Sequence, residues 1–204
     1  MISQTCNSIF EKSIHDYHIH DDVNRKIENP FPAQSLEHLL YLKSWIDTVQ
    51  WHLEDIIRDP AIEAVEALKI KRWIDKSNQE RTDVVEYIDS WFLQQYSNVK
   101  PADDATINTE SPAWAIDRLS ILALKIFHMQ IEAGRVGAAA EQKSVAASKL
   151  QVLLSQKKDL SAAIDQLLND IASGKKFMKV YRQMKMYNDE NLNPVLYAQK
   201  NKKP

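Results

Sequence analysis

The 204-residue, 23.5 kDa chain carries 26 basic against 28 acidic residues, and a net charge of −2 argues against nucleic acid as a partner drawn by overall charge. Its three glycines fall at Gly134, Gly137 and Gly174, so residues 1–133 have none. That absence excludes a Walker loop, a Rossmann fingerprint and a G-x-S-x-G elbow, each of which needs glycine for a tight turn or close backbone approach, and it disfavours two-residue hairpins.

What remains is an all-α reading: one helical domain over residues 1–204, a bundle of five or six helices, some of them long. Cys6 is the lone cysteine, so no intrachain disulfide forms. The first six residues have neither the basic nor the apolar region of a secretory signal. No apolar run approaches the roughly 20 residues that span a bilayer, and the expected location is the cytoplasm.

In chain order, an N-terminal segment ends at the break Asn29-Pro30-Phe31-Pro32. A helix is expected from Ser35 to Arg58. Asp59-Pro60 reads as an N-cap followed by proline at the first helical position, opening a helix to about Tyr96 with a possible bend at Ser77-Asn78. A polar loop covers 97–110. Ser111-Pro112 repeats the cap-plus-proline start and opens the most apolar helix, which belongs at the centre of the bundle. Residues 138–173 carry one stripe (Leu150, Leu153, Leu160, Ile164, Leu167, Ile171), with Gly174 as the terminating residue. A short basic helix is expected over 175–187, then a polar basic tail over 188–204. From residue 175 onward eight basic residues face two acidic ones, and the apolar residues between them offer a contact for a protein partner.

Polar residues inside apolar stripes are the candidates for chemistry. Arg81 falls in the stripe of Ile74, Val84 and Ile88; a buried guanidinium needs a carboxylate or an anionic ligand, and Asp117, Glu54 and Asp55 are the available acids. His52 sits beside Asp55, one turn on, the relation of a general base and its orienting acid. Catalytic candidates are therefore His52, Asp55, Arg81 and Asp117. Arg81, Arg118, Lys125 and His128 are the ligand-binding candidates. Glu54, Asp55, Asp83 and Glu86 have the residue types for magnesium over a phosphate, although a solvated polar face produces the same spacing; otherwise no cofactor is expected. The dense stretch from His15 to Asp22 offers transition-metal ligands without a complete set.

Four stretches carry a family resemblance: SWIDTVQWHLEDIIRDP at 44–60, IDKSNQERTD at 74–83, NTESPAWAIDRLSILALK at 108–125 and MKVYRQMKMYN at 178–188. Together they resemble a bacterial family known as domain of unknown function 4254. The resemblance implies a single-domain bacterial protein encoded near envelope-glycan glycosyltransferases, and it supplies no catalytic residue. Two functions follow as expectations. The preferred one is an interaction or accessory protein linked to envelope-glycan synthesis, with its partner on the basic helix. The alternative is an enzyme or binder for a phosphorylated or nucleotide-linked compound, with magnesium possible.

Overall fold

The computed structural model describes residues 1–186 and 189–200, with the backbone alone at 199 and 200. Six helices occur among these residues: α1 Ile2–His18, α2 Leu36–Ile56, α3 Ala64–Gln95, α4 Pro112–Gly134, α5 Ala140–Ala172 and α6 Pro194–Lys200. The protein is all-α, as its glycine poverty predicts.

Capping chemistry sets two of the starts. Ser35 Oγ accepts from the His38 N–H at 3.0 Å, and Ser111 Oγ accepts from the Trp114 N–H at 3.4 Å with Pro112 in the first turn. At Asp59-Pro60 the helix starts later than the cap signal implies. Asp59 accepts from the Ala61 N–H at 2.9 Å, a local Asx turn, and α3 begins only at Ala64. From there α3 continues unbroken through Ser77-Asn78.

The N-terminal segment contains a helix that no cap announces. Cys6, Ile9, Phe10, Ile14 and Tyr17 recur every three or four residues and are buried against α2 and α4. α4 is the central helix, packing against α1, α2, α3 and α5. Its N-terminus is tied to α3: Asp89 accepts from Ser111 Oγ at 2.6 Å and from the Ala113 N–H at 3.2 Å.

The segment after α5 departs from expectation. Gly174 ends that helix at φ +74, and residues 175–186 run as an extended strap rather than the expected helix over 175–187. The reason lies in the backbone. The Ala102 N–H donates to Gly174 O at 2.9 Å, Thr106 N–H to Lys175 O at 3.0 Å and Phe177 N–H to Thr106 O at 3.0 Å, so the loop before α4 takes up groups a helix would pair internally. Farther on, the Gln183 N–H reaches Glu86 at 3.1 Å and Lys185 donates to Thr82 Oγ1 at 2.7 Å, laying the strap along α3. Within the expected polar tail, α6 is helical; residues 187, 188 and 201–204 lie outside the described residues.

Candidate functional site

Three neighbouring arrangements are built on α2, two of them where it faces α3 and α4 and the third where it meets α1 and α4. At its buried edge Lys43 and Asp47 take positions that the stripe through Leu36 and Leu40 would give to apolar residues. Lys43 is 0% exposed, so its ammonium must be paired. It donates to Asp47 Oδ2 one turn on and lies 2.8 Å from Asp117 Oδ1 of α4. Ser120 Oγ donates to the same Asp47 oxygen at 2.6 Å. Burial raises the Asp47 carboxyl above its ordinary value; Lys43 pulls it down and Asp117 pushes it up again. Asp117 thus serves two cations, because Arg81 of α3 stands 3.8 Å from the same Oδ1.

Outward from this cluster, a cavity of about 310 Å³ opens between α2, α3 and α4. Asp47, Gln50, Trp51, Glu54, Asp55 and Arg58 line it from α2, Arg81 from α3, and Ile121 and Leu124 from α4. Gln50 is held by α3, donating to Asn78 Oδ1 at 3.0 Å and accepting from Ser77 Oγ at 3.2 Å. Arg58 pairs with Glu54 at 2.8 Å. Arg81 differs: its side chain is 24% exposed, and among the described residues its sole ion pair is the long one to Asp117, with no hydrogen bond donated. The buried Oδ1 of Asp47 likewise has no hydrogen-bond partner among the described residues. The cavity therefore combines a guanidinium with free donors, several carboxylate acceptors and an apolar patch.

Behind Trp51 lies the third arrangement. His18 at the end of α1, His52 of α2 and His128 of α4 each bring a ring nitrogen within 4.8 Å of the other two. Aromatic contacts hold the rings: His128 stacks on Trp51 at 4.6 Å, His52 on Tyr17 at 5.1 Å, and His18 meets Phe127 at 4.2 Å. Burial, then the two neighbouring histidines, lowers His128 to about 4. Burial also lowers His52, against the pull of Asp21. In both rings burial favours the neutral imidazole, which carries a lone pair on one of its two nitrogens.

The sequence candidates are thus divided. Asp55, Arg81 and Glu54 share the cavity; His52 points away from it, into the histidine cluster with His128; Asp117 sits in the core beneath. Arg118 pairs with Glu110 at 2.8 Å and, with Lys125, lines a separate cavity between α4 and α5. Asp83 accepts from Gln79 at 2.7 Å and Glu86 takes the strap's N–H, so neither joins Glu54 and Asp55. Lys43, Asp47 and Gln50 do not stand out in the sequence as site residues, whereas His18 belongs to the His15–Asp22 stretch of transition-metal ligand types. The signal for the first two was a charged pair at i, i+4 on a buried stripe, since buried charges come paired.

No curated protein and no solved structure matches the chain significantly. One family model does, over residues 37–180, a span that contains every residue lining the cavity and leaves His18 outside. The chain belongs to the family described as protein of unknown function (DUF4254).

Proposed function

We propose that the protein binds, and acts on, a small phosphorylated polyol such as a sugar phosphate or nucleotide-linked sugar in the α2–α3–α4 cavity. The observation that carries this reading is Arg81: a partly buried guanidinium whose hydrogen-bond donors are unused and whose nearest carboxylate, Asp117, is already held by Lys43. A guanidinium presents a planar fork that matches a phosphate, and Arg58 at the rim adds a second cation. Carboxylates at Asp47, Glu54 and Asp55 accept hydrogen bonds from hydroxyl groups, while Ile121 and Leu124 meet the carbon skeleton. The cavity volume lies at the small end of the roughly 300–1,000 Å³ of ligand pockets, which favours a monosaccharide-sized group inside it. Asp55, with a carboxylate at the cavity wall, is the general-base candidate. Magnesium, if it takes part, enters with the phosphate and meets Glu54 and Asp55. A link to envelope-glycan synthesis fits such a ligand.

A second reading, an accessory protein that meets a partner through residues 175–186, draws on Tyr181 and Met184, 72% and 86% exposed beside Lys179 and Arg182. A thermal-shift panel of sugar phosphates and nucleotide sugars, with and without Mg²⁺, separates the two. Binding raises the melting temperature by mass action. A shift abolished by Arg81→Ala supports the cavity reading, and a panel without any shift overturns it.

A further inference from the structure

The histidine cluster has no part in the phosphate-binding proposal, and it is not explained by packing alone. Three helices far apart in sequence deliver one imidazole each to a common point. His18 Nδ1 faces the Ile14 carbonyl oxygen at 2.6 Å. A carbonyl only accepts, so Nδ1 carries the proton and Nε2 presents its lone pair. That lone pair accepts from the His52 Nε2–H at 3.2 Å, and a bound ion would take the place of this one proton. Two ligands of a tetrahedral ion with metal–nitrogen bonds of about 2.0–2.1 Å stand roughly 3.3 Å apart, so this pair already has the separation of adjacent ligands. His128 Nε2 is buried without a hydrogen-bond partner among the described residues, a polar atom left unsatisfied.

We propose that His18, His52 and His128 form a binding site for a zinc-type divalent transition-metal ion, with a fourth position open to water or to Asp21. The carboxylate of Asp21 is 3.5 Å from His52 Nε2 and its side chain is 60% exposed, so solvent reaches that side. Asp21 adopts φ +54 just past α1, with its N–H donating to the Tyr17 carbonyl oxygen at 3.1 Å. The hydrogen bond from His18 Nδ1 to Ile14 is the outer-sphere contact that orients a histidine ligand. Stacking on Tyr17 and Trp51 restrains the other two rings, so little side-chain freedom is lost when the ion binds. Three imidazole nitrogens select zinc, cobalt, nickel or copper over magnesium or calcium, which prefer oxygen ligands. The bound ion would join α1, α2 and α4 on the far side of Trp51 from the Arg81 cavity. No histidine of the cluster lines that cavity, so this site and the phosphate reading stand or fall separately.

The test uses the full chain, stripped with a chelator and titrated with Zn²⁺ and with Co²⁺. The site predicts one equivalent of either ion per chain, the visible absorption of tetrahedral Co²⁺, and a rise in melting temperature on adding Zn²⁺. His52→Ala and His128→Gln should each weaken binding at least tenfold; the glutamine keeps most of the packing on Trp51, and circular dichroism checks that both variants fold. His18→Gln replaces whichever of them fails that check. Absence of a stoichiometric equivalent in the unaltered protein overturns the proposal. So does binding that survives loss of His52 and of His128, which would place the ion on exposed histidines such as His15 or His20.

Discussion

Replacing Lys43 by methionine tests whether the charged centre of the bundle is a balanced unit. The substitution keeps the length of the side chain and removes one buried positive charge. It leaves Asp117 with only Arg81 at 3.8 Å, and Asp47 with the Ser120 hydroxyl but no cation. At 2.8 Å and an effective dielectric of about 20, the Lys43–Asp117 attraction alone is about 6 kcal/mol gross. Desolvation of the two ions offsets much of that in the unaltered protein, and breaking such a pair costs about 3–5 kcal/mol because a buried charge is left unpaired. For a chain of this size that is a fall of about 6–20 °C in melting temperature. Urea unfolding followed by circular dichroism at pH 7 measures it. Asp47→Asn added to Lys43→Met should recover part of the loss, since the amide oxygen still accepts from Ser120 without a charge. The penalty should also depend on pH in a definite direction. Burial already holds Asp47 above its ordinary 3.8. Between the unfolded and folded values the native state binds more protons, so the carboxyl's contribution falls as pH rises. Lys43→Met raises the folded value further, and its penalty should shrink as pH is lowered from 7 toward 4. A penalty under about 1 kcal/mol at pH 7, or one that grows on acidification, would show that Lys43 does not balance the buried carboxylates.

Other consequences are open to direct measurement. Gly174→Ala places a Cβ 2.7 Å from the Lys100 carbonyl oxygen at a φ of +74, so it should destabilise by about 1–3 kcal/mol and speed protease cleavage within 175–186. Asp89→Ala strips Ser111 Oγ and the Ala113 N–H of their shared acceptor, which should lower stability by about 2–3 kcal/mol in denaturant titrations, with Asp89→Asn milder. Cys6 is fully buried and its thiol is pushed up to about 12, so labelling by a thiol reagent at pH 8 should be negligible in the native protein and complete in denaturant.

Much of the fold is legible because helical proteins write their core as a period. The central position of α4 follows from an apolar surface too wide for one contact, and Ser111-Pro112 marks its start through chemistry local to the sequence. Local chemistry also misleads. Asp59 spends its side chain on a turn at Ala61, and the residues after Gly174 find their backbone partners in a loop some seventy positions earlier. α1 lacks a side-chain cap, and its segment is left without a helix in the sequence reading although Cys6, Ile9, Phe10 and Ile14 carry the helical spacing.

The candidate site was legible residue by residue rather than as an assembly. Arg81 and Asp117 stand out because charge on an apolar face needs a partner, and they do approach one another. The distribution of the remaining charges depends on packing. Lys43, which shares the Asp117 oxygen with Arg81, looks like an ordinary helix lysine until α4 brings Asp117 against it. His52 reads as one half of a pair with Asp55, whereas its ring turns toward residues 34 positions before it and in α4. Periodicity along one helix reports which face is buried and carries nothing about which residue of another helix will meet it.

An Arg81 guanidinium that anchors a phosphate group in the α2–α3–α4 cavity must show itself in calorimetric titration. The unaltered protein, Arg81→Ala and Arg81→Lys are each titrated with the sugar phosphate that gives the largest thermal shift, and inorganic phosphate serves as competitor. The expected result is one site per chain, competition by phosphate, and at least tenfold weaker binding in Arg81→Ala. Arg81→Lys should fall between, because an ammonium keeps the charge and loses the planar fork. Equal affinity in all three proteins, or heats unaffected by phosphate, would contradict it.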